Sequence, residues 1–174
     1  MTLRKCLLAI IVVIAAAMIA SAQKPVKFAS LYTSLDGKGC KILRGGRGTD
    51  DATLCKGVGG WDVEVYYSAA TMQIGANRKT DDQIAPIATL NLGFDYTKSR
   101  LEWRLANGKP FAIIMRVPIY GEPKEGEYFG KVIGQQLIVV GLAGYEIDEK
   151  IDAKVRSANI KARELADAAF VSRK

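Results

Sequence analysis

Leu101-Glu-Trp103-Arg-Leu105 and Phe111-Ala-Ile113-Ile-Met115-Arg-Val117, set on either side of Asn107-Gly108, decide the fold of this chain. Apolar residues take every second position in both segments, the period of a strand that hides one face. Asn-Gly is the dipeptide of the tightest hairpin turn, where both central residues need positive φ. The stretch is therefore expected to be an antiparallel β-hairpin. Upstream, Trp61-Asp-Val63-Glu-Val65-Tyr-Tyr67-Ser68 alternates in the same way, with Asp62 and Glu64 on the opposite side. Thr71 to Gly75 repeats the pattern briefly, and the polar run from Ala76 to Gln83 reads as a loop.

Further outward the signals are weaker but of one kind. Val26 to Thr33 reads as an opening strand or an extended lead. Ile84 to Phe94 is apolar but holds Pro86 and Gly93, which suits an edge strand or a broken one. Pro118, Gly121, Pro123 and Gly126 mark a loop made acidic by Glu122, Glu125 and Glu127. Tyr128-Phe129 and Gln136 to Leu142 are expected to form one more hairpin-like pair. Beyond Gly144 the period changes. Ile151, Val155, Ala158, Ala162, Leu165 and Ala169 step by three and four, a helical stripe suited to packing on a sheet. Arg156, Lys161, Arg163, Glu164 and Asp167 are assigned to the other side, and Leu165 is the large side chain expected against the sheet. The expected class is α+β: mainly antiparallel sheet or sandwich with one C-terminal amphipathic helix.

The front of the chain reads as an address. Arg4 and Lys5 precede an uncharged run from Cys6 to Gln23, which closes on Ala20-Ser21-Ala22. A basic end, an apolar stretch and a small-residue exit form the pattern of a secretory signal peptide, here residues 1–22. Residues 23–174 are then expected to form a single disulfide-containing domain. Without Arg4 and Lys5 the net charge falls from +7 to +5. Basic residues are scattered rather than run together, which argues against a nucleic-acid arm. The domain keeps two cysteines, Cys40 and Cys55, expected to form a disulfide in an oxidising compartment.

Catalytic motifs are sparse. The chain has no histidine, which removes the usual general base and zinc ligand. No nucleophile elbow, P-loop or dinucleotide fingerprint occurs. Arg44 and Arg47 among glycines suit a phosphate cradle, but a solvated hairpin tip explains them more simply. The carboxylates Asp50-Asp51, Asp81-Asp82 and Glu122/Glu125/Glu127 are the remaining route to catalysis, as a glycosidase pair or a calcium site. None has loop-ligand spacing. Trp61, Tyr67 and Trp103 are either core residues or a carbohydrate-stacking platform, and core packing is favoured.

Ser34-Leu35-Asp36 with Cys40-Lys41, and Ile151-Asp152-Ala153 followed by Ala158-Asn159, Ala162-Arg163 and Ala166-Asp167, resemble segments of uncharacterised small exported bacterial envelope proteins. The resemblance implies that Ile151 to Ala153 ends a strand and that the helix begins near Ser157. It implies no activity. The expectation is a periplasmic or secreted protein acting as a non-enzymatic binding, inhibitor-like or accessory module. Its partner would be an envelope protein or anionic polymer. No catalytic, metal or cofactor residues, no nucleic acid, and no membrane contact beyond the signal peptide are expected. The alternative is a carboxylate-dependent hydrolase acting on cell-wall glycans.

Overall fold

The structure is a computed structural model that describes residues 25–43, 52–68, 71–78, 80, 83–142 and 144–173. Arg44, Arg47, Asp50, Asp51, Asp81, Asp82 and the signal-peptide segment lie outside the described residues. The strands are β1 (Phe28–Ser34), β2 (Cys40–Leu43), β3 (Ala52–Lys56), β4 (Asp62–Ser68) and β5 (Thr71–Arg78). They continue with β6 (Gln83–Asn91), β7 (Arg100–Ala106), β8 (Lys109–Tyr120), β9 (Val132–Gly141) and β10 (Asp148–Asp152). Helix α1 (Ala158–Ser172) follows. The order β1-β7-β8-β9-β10 makes one antiparallel sheet and β2-β3-β4-β5-β6 the other. The α+β class is as expected.

Burial alternates because the first sheet lies between two different neighbours. Leu101, Trp103, Leu105, Ile113, Met115 and Ile138 pack against Val63, Val65, Met72 and Ile74 of the second sheet. Residues on the opposite face, Ala112, Ile114, Leu137 and Val139, pack against α1. Both tryptophans are core residues, Trp61 at 2% exposure and Trp103 at 0%. The Trp103 indole donates to Thr33 Oγ1 at 2.9 Å, which satisfies its buried N–H. A stacking platform is thereby excluded for both.

The β7–β8 hairpin turns at Asn107 and Gly108, with φ of 50° and 81°. Its register shifts between Arg104 and Leu105, which oppose Ala112 and Pro110, so Phe111 is the extra residue of a β-bulge. This corrects the simple alternation. Phe111 turns away from Ile113 and Met115 and joins the helix side. There its ring meets Phe28 at 6.0 Å, Tyr145 at 5.6 Å and Phe170 at 4.9 Å.

Several boundaries also move. β5 continues to Arg78 because β6 pairs with its whole length and β4 with Thr71 to Asn77, so Ala76 to Arg78 is strand rather than loop. Pro118 sits inside β8, opposite Gln135. β7 has ended by that point, so a missing N–H on that side breaks no ladder. Tyr128 and Phe129 belong to the loop before β9, where the Phe129 ring packs on Tyr120 at 4.7 Å. β6 with Pro86 is an edge strand as expected. The strand ending at Asp152 and the helix start after Ser157 also agree with expectation.

The buried stripe of α1 is Ala158, Ala162 and Ala166, while Leu165 is only half-buried and Val155 is exposed. Arg163 and Asp167 are not on the far side either. Both reach back to the sheet. Small side chains let the helix lie close, which moves the flanks of the stripe into contact range.

Two stability outcomes follow from this packing. Phe111→Ala should cost about 3–5 kcal/mol and Leu165→Ala less than about 2 kcal/mol, measured by urea unfolding. Cys40 and Cys55 stand opposite each other on β2 and β3 and are disulfide-bonded. Replacing both with serine should cost about 3 kcal/mol by loop entropy, seen as a lower melting temperature. Native protein showing two titratable thiols would contradict the bridge.

Candidate functional site

Helix α1 does not cover the whole outer face of the first sheet. Past its N-terminal end the face continues as the floor of a cleft of about 900 Å³. The segment Gly93–Ser99, with a one-turn 3-10 helix at Tyr96–Lys98, walls one side. Asn159 and Arg163 of α1 close one end, while Tyr120, Gly130 and Val132 line the other.

The floor is built by register. Tyr32 stands opposite Glu102, and Ser34 opposite Arg100. Leu101 stands opposite Met115, so continuing by one residue sets Arg100 opposite Arg116. Arg116 in turn stands opposite Leu137. Two exposed guanidinium groups thus share one face of adjacent strands. Neither is paired with a carboxylate among the described residues. The Arg100 guanidinium lies over the Tyr32 ring at 4.5 Å, which orients it without neutralising it.

The acids of the cleft are already engaged. Arg163 donates to both Glu102 oxygens, at 2.6 and 3.0 Å, and Ser30 Oγ donates at 2.5 Å. Burial alone would raise the Glu102 pKa. The hydrogen bonds from Arg163 and Ser30, with the charges of Arg163 and Arg104, outweigh it and lower the pKa. Glu102 in turn holds the Arg163 pKa above its ordinary value. Arg104 forms a two-pronged pair with Asp167, at 2.7 and 2.5 Å, and also donates to Ser30 at 3.1 Å. Lys98 pairs with Asp95 at 2.9 Å, and the Asp95 pKa is lowered first by its hydrogen bond from Thr97. Among the described residues, the positive charges of Arg100 and Arg116 in the cleft have no carboxylate partner.

A second cleft of about 960 Å³ opens between β6 and β8–β9. Ile84, Ile87, Ile119, Ile138 and Val140 line much of it, and Asp148 and Lys150 add one charge of each sign, so it carries no excess of positive charge.

Of the acids singled out by sequence, Asp50, Asp51, Asp81 and Asp82 lie outside the described residues, and Glu122, Glu125 and Glu127 do not line this cleft. Glu122, Glu125 and Glu127 are exposed in the β8–β9 loop, where the Glu127 backbone N–H donates to the Lys124 carbonyl. Among the described residues no group of three or more metal-ligating side chains exists. The cleft's own residues come from distant points in the chain, and sequence reading passed them over as scattered charge. No helix among the described residues is long and apolar enough to cross a membrane. No protein-family model, no curated protein and no solved structure matches the chain.

Glu102 gives the site a pH signature. Its folded pKa is depressed, so its contribution is present above the unfolded value of about 4.3 and lost as pH falls through the folded one. Glu102→Gln should therefore destabilise at neutral pH, by about 1–3 kcal/mol for hydrogen bonds to a charged group. The gap from wild type should close as pH drops below about 4. Urea midpoints across that range check it; a gap that stays constant would show that the charge is not what holds the helix.

Proposed function

We propose that this protein is an exported, non-enzymatic binding module whose cleft captures an anionic group on an envelope protein or polymer. The observation that carries the reading is the juxtaposition of Arg100 and Arg116 on the cleft floor without a counter-charge among the described residues. Like charges on neighbouring strands repel, and burying them beside an anion turns that cost into attraction. Glu102 and Asp95 are each held by a cation, so neither is free to take a proton from a reacting group. A periplasmic or secreted location is supported by the disulfide and by the signal-peptide pattern of residues 1–22. An inhibitor-like or accessory role in the envelope fits a domain that binds and performs no reaction.

Calorimetric titration with polyphosphate and with polygalacturonate chains, at low and at physiological salt, tests this. Binding should weaken with salt, and Arg100→Gln with Arg116→Gln should lower affinity about tenfold or more. Lys109→Gln, at the distant hairpin turn, should bind as wild type does. Unchanged binding by the arginine variants, or cleavage products from either polymer, would overturn the reading.

A further inference from the structure

We propose that the cleft is selective for a phosphate monoester carried on a larger molecule, over a carboxylate or a phosphodiester. This rests on the anion-binding reading above and adds the class of anion. The basis is that two guanidinium groups, not one, stand at adjacent floor positions with no carboxylate partner among the described residues. Directly opposed side chains start about 5 Å apart at Cβ, so one compact anion reaches both. A carboxylate carries one charge and two coplanar oxygens, enough for one guanidinium fork, and leaves the second uncompensated. A phosphodiester also carries a single charge. A monoester above its second pKa, about 6, carries two charges and three terminal oxygens, and serves both arginines.

The surroundings fit the same assignment. The Tyr32 ring under the Arg100 guanidinium carbon takes up none of its charge and none of its N–H donors, which are left for a ligand. Ser99, Gln135 and Asn159 add uncharged polar groups to the lining. A cleft of about 900 Å³ is far larger than one phosphate, so most of it faces whatever bears the phosphate. Tyr120 and Val132 supply surface for that remainder.

The chain itself provides the control for the test. It has no histidine, and the Glu102 and Asp95 carboxyls are both shifted down, so the cleft keeps its charge from mildly acidic to neutral pH. A change in affinity over that range reports the ligand's ionisation. The probes are glucose 6-phosphate, inorganic phosphate, dimethyl phosphate and glucuronate, titrated into the intact protein by NMR or calorimetry. Glucose 6-phosphate should bind at least about tenfold tighter than glucuronate or dimethyl phosphate. It should weaken about tenfold from about pH 7.5 to about pH 5, as the dianion fraction falls. Arg116→Gln should abolish the preference while keeping the wild-type melting temperature, since it removes a repulsion rather than a contact. Arg116→Lys, which keeps the charge but not the fork, should retain only part of it.

Equal affinity for glucuronate, or binding independent of pH, would overturn the monoester while leaving the anion reading intact. Inorganic phosphate binding as tightly as glucose 6-phosphate would overturn the larger carrier. Failure of all four probes while the anionic polymers still bind would refute the monoester alone. Failure of probes and polymers together would remove both readings.

Discussion

The contact on which the outer layer depends is the pair of ion pairs joining α1 to the first sheet, Arg163 to Glu102 and Arg104 to Asp167. A helix whose buried face is alanine brings little apolar area to its interface. Close approach is what those alanines provide instead, and it places both flanks of the stripe within reach of the strands. The aromatic cluster of Phe28, Phe111, Tyr145 and Phe170 secures the C-terminal half. Charge at Arg163 therefore holds the N-terminal half, and in the C-terminal half ring packing joins the Asp167 pair.

That division also shapes the cleft. By engaging Glu102, Arg163 takes away the carboxylate that would otherwise lie beside Arg100 and Arg116. The element that stabilises the helix thus leaves the neighbouring arginines uncompensated. Ser30 accepts from Arg104 and donates to Glu102, so it links the two ion pairs into one network.

The period of two around Asn107-Gly108 identified the central hairpin, and the three-to-four spacing identified the helix. Period shows which residues share a face, but not what covers that face. Glu102 and Arg104 alternate with core residues like any solvated pair, yet one of them is buried under α1. The cleft was hidden by a more local device. Without the bulge at Phe111, the tight turn would pair Arg100 with position 115 and leave Arg116 on the other face. One inserted residue brings the two arginines together, and nothing in the residue types announces it. Proline misled in the opposite direction: Pro118 marked a loop in sequence, but lies where β8 has outrun β7.

The disulfide has a further bearing on how the molecule is made. Cys40 and Cys55 join neighbouring strands of a meander in which each strand pairs with the next in sequence. That half of the sandwich needs only short loop closures and can assemble as soon as its own residues emerge. The first strand has no such freedom. Phe28 must wait for Ala106 and Ser34 for Arg100, so β1 stays unpaired until the second sheet's strands have all been made. An N-terminal strand left open beside an already oxidised hairpin is the stage at which this chain is most exposed to pairing with a neighbour.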